Sequence, residues 1–553
     1  MQKSCTQCGS SFEITQSDLE FYDKISPVFN EKKHSIPAPT YCPDCRMKRR
    51  FTFRNFFNLY KRKSDLSGKD IISMYDKDSP FPVFDQHEWW GDKWNGIDYG
   101  KDIDFNQSFF EQLKELHNTV PHMGIMNTQS ENTDYSNLCF QSRNCYLVFG
   151  SVLNEDCCYG HIVWQCRNCF DCLYTYRSEF CYECIDCVQC YNTLFSQSSE
   201  NCNDSYFLVN CHGCRNCFGC VGMNNNEYCI FNEQISKEEY KSRVDYLLSH
   251  LKTIKSKLEE LRSNEIVKNF HGYSCENVQG DYLYFSRNIV RSYDLKNCED
   301  CKYCATCDSF KDCYDCNYSP PHAEVSYESI TISGFHYLFC HRCLGNNSDI
   351  LYCDDCHGCR NCFGCFGLKQ KEYCILNKQY SKEQYEDLSS RLIDHMINTK
   401  EWGEFASITP FAYNETIAHQ YFPLSQEQAL KEGYRWKDKE DEIPQVEKII
   451  PADRLPVSIN DIPDDILNWA IKCEATQRPF RIVKQELEFY RKMKLPIPRF
   501  HPDERHKRRI ALRNPRKLWE RKCDKCGEGM ETTYAPERPE RVFCEKCYLN
   551  EVY

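Results

Sequence analysis

The sequence predicts a mainly β protein with helical caps, in which two cysteine-rich β-solenoid segments lie between a duplicated pair of small cysteine-knuckle domains. Three observations predict this. The 41 cysteines are unevenly placed, with 32 of them between Cys139 and Cys374 and C-x2-C pairs near both ends. From Cys139 to Cys229 every cysteine except Cys158 sits at a position one more than a multiple of three. An α-helix at 3.6 residues per turn loses such a phase within a few turns and a plain strand needs period two, whereas a solenoid whose coil is a multiple of three keeps it. Both the ends and the middle also repeat themselves within the chain.

Composition sets the outer limits. At 553 residues, with 41% hydrophobic and 14% aromatic side chains, the chain is too long for one core and apolar enough for several. No apolar run approaches the ~18 residues that cross a bilayer, and Met1 to Ser10 has neither a basic nor an apolar leader region, so a cytoplasmic protein without a membrane contact is expected. In a reducing compartment the cysteines point to metal ligation or buried thiols, and zinc is the expected metal. The net charge of -12 argues against wholesale binding to polyanions but leaves room for local basic segments.

Residues 1–91 form the first terminal domain. Cys5, Cys8, Cys42 and Cys45 make two knuckles whose tight turns can aim four thiolates at one tetrahedral ion. Residues 471–553 form its copy, where Cys523, Cys526, Cys544 and Cys547 make the second quartet. Residues 42–63 align without a gap on 501–522 with 11 identities in 22 positions. Across that alignment Cys5, Cys8, Cys42 and Cys45 correspond to Cys473, Thr476, His501 and Glu504, while the second quartet corresponds to Ser64, Ser67, Asp85 and Glu88. Each copy therefore keeps a different one of two ancestral sites, and the chain is expected to bind at least two Zn2+. Cys473, His501 and Glu504 are expected to be a decayed site packed without metal, a weak three-ligand site being the alternative.

The pattern Cys5-Thr-Gln-Cys8-Gly, Phe12-Glu-Ile-Thr15, Phe21-Tyr22 and Cys42-Pro-Asp-Cys45-Arg46 resembles the treble-clef zinc-ribbon family over about the first fifty residues. The whole chain resembles multi-cysteine bacterial proteins in which this ribbon opens the sequence. The resemblance implies zinc and a modular layout, and it carries no established activity.

Between the ends, residues 92–138 read as an aromatic linker with a short helix near Ser108 to His117, and 139–235 as the first solenoid. Separations of 9, 12 and 21 residues recur there, and Cys145-Tyr146, Cys169-Phe170 and Cys217-Phe218 suggest stacked thiol and aromatic ladders. Residues 236–270 give a capping helix opened by Ser236 and Glu239, and 271–380 the second solenoid, in which Cys211 to Cys220 recurs letter for letter at 356–365. A second capping helix spans 381–400, and 401–470 is a proline- and charge-rich connecting segment. The inner cysteines read as small buried hydrophobes stacked coil on coil; extra metal held by runs such as Cys181, Cys184, Cys187 and Cys190, with His212 or His357, is the alternative.

Function is less legible. Arg46, Arg49, Arg50 and Arg54, with Arg505, Arg508, Arg509 and Arg513 in the copy, flank the knuckles among aromatic side chains and are candidate contacts to RNA or single-stranded nucleic acid. The competing reading makes them docking faces for the acidic remainder of the chain. His322-Ala-Glu324 with Cys340 and Cys343 resembles the elements of a zinc deaminase only faintly, and no phosphate loop, nucleotide fingerprint or hydrolase elbow is present. The sequence thus points to a non-enzymatic, zinc-binding modular scaffold whose partner is a protein or a nucleic acid.

Overall fold

A computed structural model of the chain describes residues 1–249, 251–263, 265–319, 322–438 and 444–552. Both solenoids are present, and their coil is 12 residues long: Glu131, Arg143, Glu155, Arg167, Glu179 and Tyr191 bridge in parallel, each to the next coil. Each coil is a square of four three-residue sides. The first residue of a side faces outward, the second turns the corner, and the third points inward. The corners have positive φ, as at Asn144 (52°), Leu147 (52°), Gly150 (60°) and Leu153 (57°). Such a corner costs a non-glycine residue about 1–2 kcal/mol, which a cooperative ladder of backbone hydrogen bonds must offset.

Hydrogen-bond accounting explains which residues point inward. The amide of an outward residue reaches the next coil, as Tyr146 N–H to Cys157 O at 3.0 Å, and that of a corner residue reaches the previous coil, as Tyr159 N–H to Tyr146 O at 2.9 Å. The amide of an inward residue is left pointing into a narrow core and would be an orphan there. It is received by the inward side chain twelve residues earlier: Cys190 N–H by Ser178 Oγ at 3.1 Å and Ser178 N–H by Cys166 Sγ at 3.4 Å. That side chain in turn donates to carbonyls two residues before and nine after it, as Cys187 Sγ does to Ile185 O (3.4 Å) and Ser196 O (3.5 Å). The inward position therefore wants a small side chain that both accepts and donates. Cysteine, serine and threonine qualify, and the expectation of purely apolar packing is refined accordingly.

This corrects the expected start of the first solenoid at residue 139. The first bridge is Glu131 to Arg143, inside the segment read as a linker. Asn127, Ser130, Thr133 and Ser136 hold the inward phase without any cysteine, and Cys139 N–H is received by Asn127 Oδ1 at 3.2 Å. The separations of 9 and 21 residues are three sides of one coil, and one coil plus three sides. In the second solenoid, between Gly272 and Gln379, a few coils change length: Ala323 pairs with Gly334 and Gly334 with Asn347, eleven and thirteen residues on. At Gly280 (φ 142°) the register shifts and a Cβ would lie 1.8 Å from Ser292 O, so only glycine fits.

Both solenoids end in the same way. Glu233–Gln234 and Lys378–Gln379 fold back antiparallel on the last coil, and Asn232 and Asn377 each bond both groups of one backbone residue eleven positions earlier, Val221 and Phe366. Helix is described over Lys237–Ser249 and over Leu251–Ser263, within the segment expected to cap the first solenoid. The expected helix at 381–400 is Lys382–Asn398, which starts in a capping box of Ser381 and Gln384 and buries Tyr385, Leu392, Ile393 and Met396.

The two terminal domains share their main elements in the same order, and the first has in addition a hairpin of Val28–Phe29 with Lys32–Lys33. The first runs through the Gln2–Ser4 and Ser11–Glu13 hairpin, helices Gln16–Lys24 and Pro43–Phe51, a hairpin of Tyr60–Lys63 with Asp70–Ser73, and helix Gln86–Trp90. The second has Trp469–Lys472 with Pro479–Phe480, helices Lys484–Met493 and Pro502–Ile510, Trp519–Lys522 with Gly529–Thr532, and helix Glu545–Val552. Docking is crosswise. Phe21 stacks on Tyr314 of the second solenoid at 3.7 Å, and its counterpart Phe489 stacks on Phe170 of the first at 3.9 Å. The out-of-phase Cys158 faces outward and is buried with Leu487, Phe489 and Tyr490. The segment 401–470 does more than connect: Trp402, Phe405, Tyr413 and Ile417 join the main core. Among the described residues no helix is long and apolar enough to cross a membrane.

Candidate metal centres

Each cysteine quartet is assembled from a hairpin turn and a helix start. Cys5 and Cys8 lie in the turn after Gln2–Ser4, closed by Gly9 N–H to Cys5 O at 2.9 Å, and Cys42 is the residue before the Pro43–Phe51 helix, with Cys45 in its first turn. The four Sγ atoms lie within 4.8 Å of one another, and Cys8 and Cys42 are 3.8 Å apart. A tetrahedral ion with metal–sulfur bonds of about 2.3 Å requires sulfur–sulfur edges of about 3.8 Å, so the geometry fits a four-thiolate metal site. Hydrogen bonding from Cys45 draws the Cys42 thiol down to about 5, and the hydrogen bond with Cys42, then burial, pushes Cys45 up.

The second quartet repeats this. Cys523 and Cys526 sit after Trp519–Lys522, Cys544 precedes the Glu545–Val552 helix that carries Cys547, and Cys526 Sγ is 3.8 Å from Cys544 Sγ. Burial opposes ionisation of Cys523, but the amides of Cys526 and Cys544 more than offset it and bring the thiol to about 6. These are the two convergent groups of metal-ligating side chains among the described residues, and either could hold a metal ion.

Their counterparts have been rebuilt without such a group. Ser64 donates to the Glu88 carboxylate and receives Asp85 N–H at 3.4 Å, while Asp85 caps its own helix through His87 N–H. In the other copy His501 Nδ1 receives Asp503 N–H at 3.2 Å and Glu504 pairs with Arg508 at 2.8 Å. Cys473, His501 and Glu504 do not converge among the described residues.

The arginines offered for nucleic acid are placed otherwise. Arg46 and Arg50, 2% and 0% exposed, both grip Asp315, at 2.8 and 2.9 Å, and Arg50 with Arg49 also grips Glu328, at 2.7 and 3.1 Å. In the copy Arg505 and Arg509 share Asp171, and Arg513 pairs with Asp186 at 2.9 Å and with Asp294. Arg54 is buried as well, and Arg508 alone of the eight keeps an exposed side chain. In this structure the helices Pro43–Phe51 and Pro502–Ile510 pack against the solenoids, and all of their arginines that are buried are held by carboxylates in reach. The carboxylates themselves were missed. Asp171 and Asp315 are corner residues with positive φ (55° and 58°), and the acidic residues Glu183 and Glu328 stand one coil on; a search for acidic corners matched to an Arg-x3-Arg helix would have found them.

The deaminase-like elements are also apart in role. His322 and Glu324 are exposed, whereas Cys340 and Cys343 lie in the solenoid core and donate to Leu338 O and His341 O.

No family model matches the chain, and no curated protein matches it. Among solved structures it is similar to a protein of Desulfovibrio desulfuricans described as an acetyltransferase, at 11% identity and a TM-score of 0.10 over 46% of this chain and 68% of that one.

Proposed function

We propose that the chain is a non-enzymatic scaffold in which two zinc-ribbon domains of treble-clef form, each closed by one Zn2+, clamp the two solenoids and leave the outer solenoid faces for a protein partner. One observation carries this reading: the basic helix beside each knuckle, the strongest candidate for a nucleic-acid contact, is turned inward onto solenoid carboxylates. What remains exposed on the first solenoid is a ladder of mixed charge, with Arg143 and Arg167 both pairing with Glu155, a surface suited to a polar protein interface more than to a phosphate backbone. Free thiols in this number fit a reducing, cytoplasmic setting. The test is titration of the zinc-loaded protein with labelled RNA and single-stranded DNA at low ionic strength. The scaffold reading expects no salt-sensitive binding; binding whose affinity falls steeply with salt would replace it with the nucleic-acid reading.

A further inference from the structure

The duplication exposes one charge that the chain does not balance. Arg513 and Arg54 are equivalent residues of the two terminal domains, and each lies beside an equivalent tyrosine of the solenoid it docks on, Tyr174 for Arg513 and Tyr318 for Arg54. Arg513 has two carboxylates, Asp186 and Asp294. Arg54, 5% exposed, has none among the described residues; one of its amino groups donates to Tyr318 O and its Nε has no partner.

One of these two carboxylates is lost through a substitution in the solenoid. Asp171 matches Asp315, Glu183 matches Glu328, and three residues on, where the first solenoid has Asp186, the second has Thr331. Thr331 is 3% exposed and its hydroxyl is unpartnered. On the next coil the corner residue is Arg342, 4% exposed, which bonds Asp355 at 3.0 Å and leaves its own Nε unpartnered. Tyr318, Thr331 and Arg342 are stacked corners, since Thr331 N–H bonds Asn317 O and Arg342 N–H bonds Ile330 O. His341, beside them, is 2.9 Å from Asp354 but is not aligned to bond it. Burial and then Arg342 bring the Arg54 guanidinium down to about 9, the sign of a desolvated cation facing another cation.

We propose that Arg54, Thr331 and Arg342 bind one small monovalent inorganic anion of the halide class, which takes the place that Asp186 holds in the other copy. The chemistry favours a halide over phosphate. The unpartnered buried donors are Arg54 Nε, Thr331 Oγ1 and Arg342 Nε, one from each residue, which suits a small spherical acceptor, whereas phosphate is held by forked guanidinium contacts. One negative charge also matches the one unbalanced cation.

The test uses the full-length, metal-loaded protein melted in potassium chloride and in potassium gluconate at equal ionic strength. The expected result is a saturable rise in melting temperature specific to chloride. Thr331→Asp, which supplies the carboxylate of the other copy, should melt in gluconate as the wild type does in chloride and show no chloride response. Crystals grown in bromide should show an anomalous peak between Arg54 and Arg342. Equal melting in both salts, a chloride response retained in Thr331→Asp, or no bromide peak at that place would each overturn the proposal.

Discussion

Replacing Cys187 by alanine and, separately, by serine separates the two roles a solenoid cysteine can play. Its Sγ receives Ser199 N–H from the next coil and donates to Ile185 O and Ser196 O. Alanine removes the sulfur and orphans a buried amide, which costs about 1–3 kcal/mol, and the small cavity adds about 1 kcal/mol. Serine keeps an acceptor and a donor, as Ser178 does for Cys190 N–H at 3.1 Å, and loses only the sulfur's burial, about 1 kcal/mol. Cys187→Ala should therefore be the worse by roughly 1–3 kcal/mol. A chain of several units does not unfold in one step, so the assay is native-state hydrogen exchange at the Ser199 amide, with the denaturation midpoint of the first solenoid as a second reading. If serine is as damaging as alanine or worse, the inner cysteines act as plain hydrophobes and the relay account is wrong.

The remaining predictions concern the ends and their docking. Ser64→Cys, Ser67→Cys, Asp85→Cys and Glu88→Cys together should restore the lost site and raise bound metal by one ion per chain, read by elemental analysis. Asp315→Asn leaves Arg46 and Arg50 short of a counter-charge at under 3% exposure and should destabilise the docked first domain by about 3–5 kcal/mol in chemical denaturation, whereas Arg508→Ala, at a half-exposed pair, should change it by less than about 1 kcal/mol. Burial opposes a charge on His271, but Asp281 at 3.0 Å more than offsets it, so its folded value lies above the ordinary one. Its contribution is then fully present below the unfolded value of about 6.5 and is lost as pH rises through the folded value. Exchange of the Asn269 amide, which bonds Phe543 O nearby, should quicken over that rise in wild type and lose the dependence in His271→Gln.

How much was legible in the sequence follows from what repeats. The phase of three was visible because cysteine is rare enough elsewhere to stand out, and it located the first solenoid, while the recurrence of Cys211 to Cys220 at 356–365 located the second. The coil length was not, because only some inward positions carry cysteine and a gap of 9 or 21 residues reads as readily as one of 12. The first coil was missed for the same reason: Asn127, Ser130 and Ser136 perform the relay with oxygen instead of sulfur, and such residues are common everywhere. The quartets were legible because C-x2-C fixes its own geometry locally. The choice between a nucleic-acid contact and a docking face was not legible for the arginines, because Asp315 is 269 residues from Arg46 and nothing local marks a charge as buried. The docking reading, weighed beside the other, was the one the acidic corners support.

The account rests on each quartet holding one metal ion that closes its terminal domain, and elemental analysis of the purified full-length protein joined to native mass spectrometry tests this most directly. The prediction is two zinc ions per chain, falling to one when Cys8 and Cys45 are changed to serine and to one when Cys526 and Cys547 are changed instead, with the solenoid cysteines intact in both variants. Fewer than one zinc in the wild type, or variants that keep both ions, would contradict it.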